Sequence, residues 1–286
     1  MTGNCIAQMG KATPKATIGL IFLVLGFVLG LDMIPIFKWT PKIYNMAPHP
    51  IAIFISIGIN GILILTFLRV IILNLNLFTA LPPIRWLIML LIGASIAWCS
   101  VLMLKQANIK SMLAYTSSCH VGYILLGIIA NTPSAKTGAL FHLMAYLAIN
   151  IGAFGALSAF GLVGSKITIN QLRNFGRKKP TLGVGISICM LSMAGFPSTA
   201  GFYGKCMIFK ELLVQGHTIL AVVGLISSFS LVYCCIRVLL VMFTNETPSC
   251  AKYEFEARPT VVSLFTSATV VVCALISCLE LCLGQF

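Results

Sequence analysis

Several polar side chains fall inside strongly apolar sequence, and each implies a chemistry. Lys205 directly follows Gly195-Phe-Pro197-Ser-Thr-Ala-Gly201-Phe-Tyr-Gly204. Proline removes a helix hydrogen bond and glycine weakens a turn, so the helix carrying this lysine should be bent or discontinuous. Two readings fit Lys205. Near a helix end, its stem can stretch until the ammonium reaches interfacial water. Held inside by the break, the ammonium is costly unless solvated or paired, and such a group is suited to proton exchange. Arg237 poses the same choice, but a guanidinium keeps its charge and cannot relay, so it reads as a snorkelling cation.

His120 lies deep in another apolar run, with Thr116, Ser117 and Tyr123 three or four residues away on the same helix face. An imidazole there either accepts a hydrogen bond from a neighbouring helix or, because it titrates near neutral pH, relays protons. His142, Tyr146 and Asn150 recur every four residues and form a polar stripe, which interhelical hydrogen bonding explains equally well. Asp32, within Gly30-Leu-Asp-Met-Ile-Pro35, either caps a second break, pairs with Lys38, or titrates. No Ser-His-Asp set, phosphate-cradling glycine loop or haem-ligating histidine pair is evident. Soluble-type catalysis has no residues to use.

The elements that carry these groups follow from composition. Of 286 residues, 59% are hydrophobic and 9% charged. A soluble domain carries roughly 25% charged residues, so one water-soluble core is excluded, and so is disorder. Apolar runs long enough to cross a hydrocarbon core of about 30 Å occur at 16–36, 50–74, 84–104, 109–130, 137–163, 181–209, 217–243 and 260–282. Period-two alternation is absent, which excludes a barrel, and lipid leaves backbone groups no outside partner, so all eight should be helices. The fold class is an all-α polytopic membrane protein whose first and sixth spans contain helix breakers. Broken helices are how transporters present backbone groups to an ion at mid-membrane depth.

The 19 Lys+Arg against 6 Asp+Glu would suggest nucleic acid in a soluble protein. Here the cations lie mostly between spans, so no nucleic-acid partner is expected. Lys38, Lys42, Lys105, Lys110, Lys166, Arg173, Arg177, Lys178, Lys179, Lys252 and Arg258 fall in odd-numbered connections. The tail and even-numbered connections carry Lys11, Lys15, Arg85, Lys136 and Lys210, with Arg69 near a helix end. That 11-to-6 asymmetry puts the odd connections on the cytoplasmic or matrix side. Cys99, Cys119, Cys189, Cys273 and Cys278 lie within apolar runs as small hydrophobes, and no CxxC pair suggests a metal site. Lys11 and Lys15 before an apolar run resemble a signal peptide, but no small-residue cleavage site follows, so residues 1–15 read as a tail.

Three stretches point further. Pro35–Pro50, PIFKWTPKIYNMAPHP, is similar to a VPFHxWxPDVYxGAPxP loop. Gln106–Tyr123, QANIKSMLAYTSSCHVGY, resembles RQxNIKRLLAYSSIxHxGY. Leu191–Lys205, LSMAGFPSTAGFYGK, resembles LSLAGIPPTAGFFGK, and Gln171–Pro180 matches the loop before it. From residue 17 to about 245 the chain therefore resembles the antiporter-like membrane-arm subunits of NADH:quinone oxidoreductase, respiratory complex I.

That resemblance implies a fold of two inverted five-helix repeats, each with a broken helix, and a chain of mid-membrane charges that moves protons. The eight spans correspond to the last eight of the family's fourteen, giving an N-terminally shortened version. Residues 16–74 would be a two-helix remnant of the first repeat. Residues 84–243 would be the second, broken near 195–204, and 260–282 a final helix. Two family lysines fall on Gly30 and Asn60. Lys205 and His120 are retained as relay residues, and His142, Tyr146 and Asp32 are further candidates. The resemblance implies a proton path coupled to quinone reduction elsewhere in the complex. Its alternatives are a structural subunit with pumping lost, or a stand-alone cation/proton antiporter. No cofactor or metal is expected in this chain; flavin, iron-sulfur clusters and quinone would belong to other subunits. Expected partners are the other membrane-arm subunits, a separate polypeptide supplying the absent N-terminal helices, and lipids. The expected location is the mitochondrial inner membrane, with a thylakoid or bacterial inner membrane as alternative.

Overall fold

The computed structural model describes residues 40–73, 82–159, 168–197 and 199–245, with scattered positions between 19 and 33. Asp32, the tail 1–15 and the expected final span 260–282 lie outside the described residues, as does much of 16–36. The described elements are helical. They run α1 (Thr40–Met46), α2 (His49–Phe54), a π turn (Ile55–Ile59), α3 (Asn60–Leu73), α4 (Pro82–Leu104), α5 (Ile109–Ala130) and α6 (Pro133–Ala159). A 3-10 turn (Ile169–Leu172) leads to α7 (Phe175–Lys178), α8 (Pro180–Ala194), α9 (Ala200–Val214) and α10 (Thr218–Phe243). Four of these, within α4, α5, α6 and α10, are long and apolar enough to cross a membrane. The expected spans 84–104, 109–130 and 217–243 match α4, α5 and α10 closely, while α6 begins at Pro133, four residues earlier than the expected 137. The early start has a local cause: Thr132 Oγ1 accepts from Ala135 N–H at 3.1 Å and caps the first turn.

The bundle is organised around α5, every residue of which is buried. A helix buried all round needs close neighbours on every face, which Ala114, Gly122 and Gly127 permit, and partners for its polar side chains, His120 among them. At Gly127 an added Cβ would lie 3.1 Å from Ala139 Cβ and 3.2 Å from Ala135 O, so α6 approaches backbone to backbone. Around α5 pack α1, α3, α4, α6 and α9, with α8 and α10 closing the far side against α6 and α4. The outward faces of α4 and α10 expose Trp86, Leu90, Trp98, Phe229, Tyr233 and Leu240, the apolar surface of a membrane helix.

The connections sort into two ends. At one, Ile169 N–H donates to Ala107 O at 2.9 Å and Asn174 N–H to Thr244 O at 2.9 Å. There too, Lys110 Nζ donates to Ala47 O at 3.2 Å. At the other, Arg85 donates to Gln215 Oε1 at 3.1 Å, and Thr132 Oγ1 to Glu211 Oε2 at 2.9 Å. Odd and even connections thus occupy opposite ends, as the alternation of spans requires. Exposed Arg177 and exposed Ser134 report the two ends. Arg177→Cys should react with an impermeant maleimide from the matrix or cytoplasmic side only, and Ser134→Cys only from the other side. The reverse pattern overturns the cation-based orientation.

Candidate functional site

The sixth expected span is two helices. Gly195 takes φ +78°, the left-handed conformation that closes α8. Its N–H donates to Leu191 O and Ser192 O, and Phe196 N–H also reaches Leu191 O. Met193 and Ala194 carbonyls are left for another donor. Pro197 then prevents the chain from continuing helically, and α9 restarts after Thr199 in extended backbone. Lys205 sits in the second turn of α9 and donates from Nζ to Met193 O and Ala194 O, each at 3.1 Å. It is 4% exposed, so the interior reading holds and the snorkelling one does not. An ammonium on the carbonyl end of a helix also meets the negative end of its dipole. The ring of Tyr123 lies 5.5 Å beneath Nζ, and the Tyr123 hydroxyl is hydrogen-bonded to Ser227 of α10.

Next to Lys205 is a histidine pair. His120 Nδ1 and His142 Nε2 are 3.0 Å apart, with the rings stacked at 5.2 Å. Two imidazoles joined this way must hold one donor and one acceptor nitrogen, so a proton entering one ring can leave from the other. The outer nitrogen of His142, Nδ1, is buried without a hydrogen-bond partner among the described residues. A buried polar atom in that state calls for water or a transient donor. Gly204 brings α9 against the pair: a Cβ there would lie 2.7 Å from His142 Cβ and 3.0 Å from its Nδ1.

The polar stripe on α6 is buried and divides its contacts. His142 meets His120, Tyr146 Oη donates to Ser56 O at 3.1 Å, and Ser117 Oγ donates to Asn150 Oδ1 at 3.3 Å. Of the groups expected beside His120, only Tyr123 stays there, ring edge to ring at 5.9 Å. Thr116 instead donates to Met112 O and faces Met103 Sδ. Arg237 donates to Gln106 O at 3.4 Å, near the end of the bundle, as a snorkelling cation should. Asn60, at the second replaced lysine, is buried. The described cysteines are thiols, most of them buried.

Residues 2–230 match the family model for NADH:quinone oxidoreductase/Mrp antiporter transmembrane proteins. This chain belongs to that family. Among family members, NADH-quinone oxidoreductase subunit N of Trichlorobacter lovleyi is 32% identical over 271 residues, covering 93% of this chain and 54% of that protein. NAD(P)H-quinone oxidoreductase subunit 2 of a Picosynechococcus species is 31% identical, over 84% of this chain and 45% of its own length. The chain thus spans about half the length of the curated relatives it matches. The fold is similar to a chain of the Mrp complex from Dietzia sp. DQ12-45-1b, with TM-score 0.85 at 17% identity, over 98% of this chain and 59% of that one. A chain of respiratory complex I from Thermus thermophilus is also similar, with TM-score 0.74 at 24% identity, over 99% of this chain and 62% of that one.

Sequence reasoning missed the pairing of His120 with His142, and the π turn that brings Ser56 to Tyr146. The first had a signal. Both histidines lie eleven residues from Asn131, the turn between α5 and α6, so an antiparallel hairpin sets them at one depth. Asn131 itself adopts φ +64°, which ends α5 and starts the return.

Proposed function

We propose that this chain is a membrane-arm subunit of a proton-translocating NADH:quinone oxidoreductase and provides one proton path coupled to quinone reduction in other subunits. The observation that carries this reading is the buried Lys205 ammonium, held on the free carbonyls of a broken helix beside two hydrogen-bonded imidazoles. Lys205 is the central relay, and His120 and His142 are the next station. The chain does no redox chemistry on this reading; flavin, iron-sulfur clusters and quinone sit in other subunits. Residues 84–243 act as one inverted repeat. Its partners are further membrane-arm subunits, a separate polypeptide against residues 16–74, and lipid along α4 and α10. We place it in an energy-conserving membrane, with the mitochondrial inner membrane as the finer assignment, which subcellular fractionation tests directly.

A second reading is favoured by one feature. Asn60 stands where a family lysine is expected, which suits a structural subunit that no longer pumps. His142→Gln separates the two. Glutamine keeps a hydrogen bond to His120 but cannot carry a proton through, so the path should slow by about 10²-fold or more. NADH-driven proton uptake per electron pair in the assembled enzyme should fall while quinone reduction continues. An unchanged ratio gives the structural reading the lead.

A further inference from the structure

Beside the histidine pair lies a second buried cluster, made only of hydroxyls and an amide. The Tyr146 ring lies 5.8 Å from that of His120, tilted by 37°. Its Oη donates to Ser56 O at 3.1 Å and lies 3.5 Å from Ser56 Oγ. Ser56 Oγ is in turn 3.5 Å from Ser117 Oγ, and because Ser117 gives its proton to Asn150, Ser56 is the donor of that pair. Asn150 accepts from Ser117 and donates to Tyr146 O at 2.9 Å, fixing α6 at this level. Ser56, Ser117, Tyr146 and Asn150 are buried and come from three elements, the π turn, α5 and α6.

The π turn explains how Ser56 reaches the cluster. In a straight helix Asn60 N–H would donate to Ser56 O four residues back. Here it donates to Ile57 O, and Ser56 O accepts from Tyr146 instead. Single π turns interrupt helices where a backbone group is diverted to another use. This one stands one turn before Asn60, where the family resemblance expects an ionisable lysine.

We propose that Tyr146 and Ser56 form a hydroxyl relay between the histidine pair and the second span, which bypasses the lysine replaced by Asn60. This rests on reading Lys205 and the histidines as a proton path. An imidazolium releases its proton through water, Tyr146 Oη accepts it as it passes its own to Ser56 Oγ, Ser56 passes its own to Ser117 Oγ, and Ser117 gives its own up to water, since the Asn150 amide it rests on cannot carry a proton through. Each hydroxyl gains one proton and loses one, so no charge stays on oxygen. Rotation of the hydroxyls resets the chain. At rest Tyr146 Oη donates to Ser56 O, so transfer to Ser56 Oγ, 3.5 Å away, requires that hydroxyl to turn from the carbonyl.

The test uses the assembled enzyme and reads proton uptake per electron pair, quinone reduction and the amount of complex. Tyr146→Phe keeps the ring against His120 and deletes Oη. Ser56→Ala deletes the second hydroxyl, while Ser56→Thr keeps one. The relay predicts that Tyr146→Phe and Ser56→Ala lower the proton ratio to that of Lys205→Met, and that Ser56→Thr retains the wild-type ratio. If Tyr146→Phe lowers the amount of complex, the Ser56→Ala and Ser56→Thr pair still decides. Wild-type ratios in Tyr146→Phe and Ser56→Ala, with loss in Lys205→Met, make these hydroxyls packing groups and overturn the relay alone. A wild-type ratio in Lys205→Met overturns the proposed function instead.

Discussion

The Lys205→Met enzyme is expected to assemble and reduce quinone, and to take up fewer protons per electron pair than wild type. Methionine matches the unbranched stem that threads between α8 and α9, so the packing around it changes little. What disappears is the donor to Met193 O and Ala194 O, two carbonyls that the end of α8 leaves open. Leaving them to water admitted at the break costs about 1–3 kcal/mol, which lowers stability without dissolving the bundle. The proton path fares worse. A positioned acid–base group contributes about 10²–10⁴-fold to a transfer step, so flux through this chain should drop by at least 10². Lys205→Arg should not rescue it. Guanidinium does not give up its proton, and the site has no room, since a Cβ on Gly195 would already lie 3.0 Å from Nζ. Proton uptake measured against NADH oxidation in sealed vesicles decides the matter. A wild-type ratio in Lys205→Met removes the lysine from the mechanism.

The largest structural effect is expected at Gly201. A methyl there would fall 2.0 Å from Ser192 O, a backbone oxygen fixed in α8. A flexible side chain could swing away, but a helix carbonyl cannot, so α9 would have to lift off α8 and take Lys205 with it. Overpacking costs about 1–3 kcal/mol when side chains adjust, and more when backbone must move. Gly201→Ala should therefore destabilise by about 3 kcal/mol or more and sharply reduce the assembled subunit. Gly216 is the control. It has φ +77° and nothing within 4 Å of an added Cβ, so Gly216→Ala carries only left-handed strain, about 1–2 kcal/mol. Thermal unfolding in detergent should rank Gly201→Ala well below Gly216→Ala. Equal melting temperatures would mean that the close approach of α8 and α9 is dispensable.

How much of this was legible beforehand depends on the kind of signal. Span positions were readable because a helix in lipid must be apolar over a fixed length, and α4, α5 and α10 begin and end near the expected residues. The break before Lys205 was readable because Gly195 and Pro197 act on the backbone locally. The burial of Lys205 was not decided by sequence, because the same residues fit an interfacial lysine until the carbonyls of Met193 and Ala194 are placed beside it. The π turn leaves no mark in Ile55–Ile59, which reads as ordinary apolar helix; the Tyr146 hydroxyl that Ser56 O meets there lies ninety residues away. Thr116 shares a helix face with His120 by spacing, yet turns its hydroxyl to its own backbone, a common local choice for threonine.

The complete enclosure of α5 has a consequence for how the protein is made. Synthesis runs from the N-terminus, so α5 leaves the ribosome before α6, α8, α9 and α10 exist to cover it. In that interval Thr116 and Ser118 bond to carbonyls of α5 itself, while His120 and Ser117 lack the α6 side chains they meet in the finished bundle. α5 is long and apolar enough to cross a membrane, but His120 and Ser117 meet partners on α6, whereas α10 keeps a broad exposed apolar face. The hairpin with α6 then brings His142 and Asn150 alongside, which gives His120 and Ser117 their partners. The polar side chains that join α5 to α6 in the finished bundle thus also favour, during synthesis, the entry of the two helices as a pair.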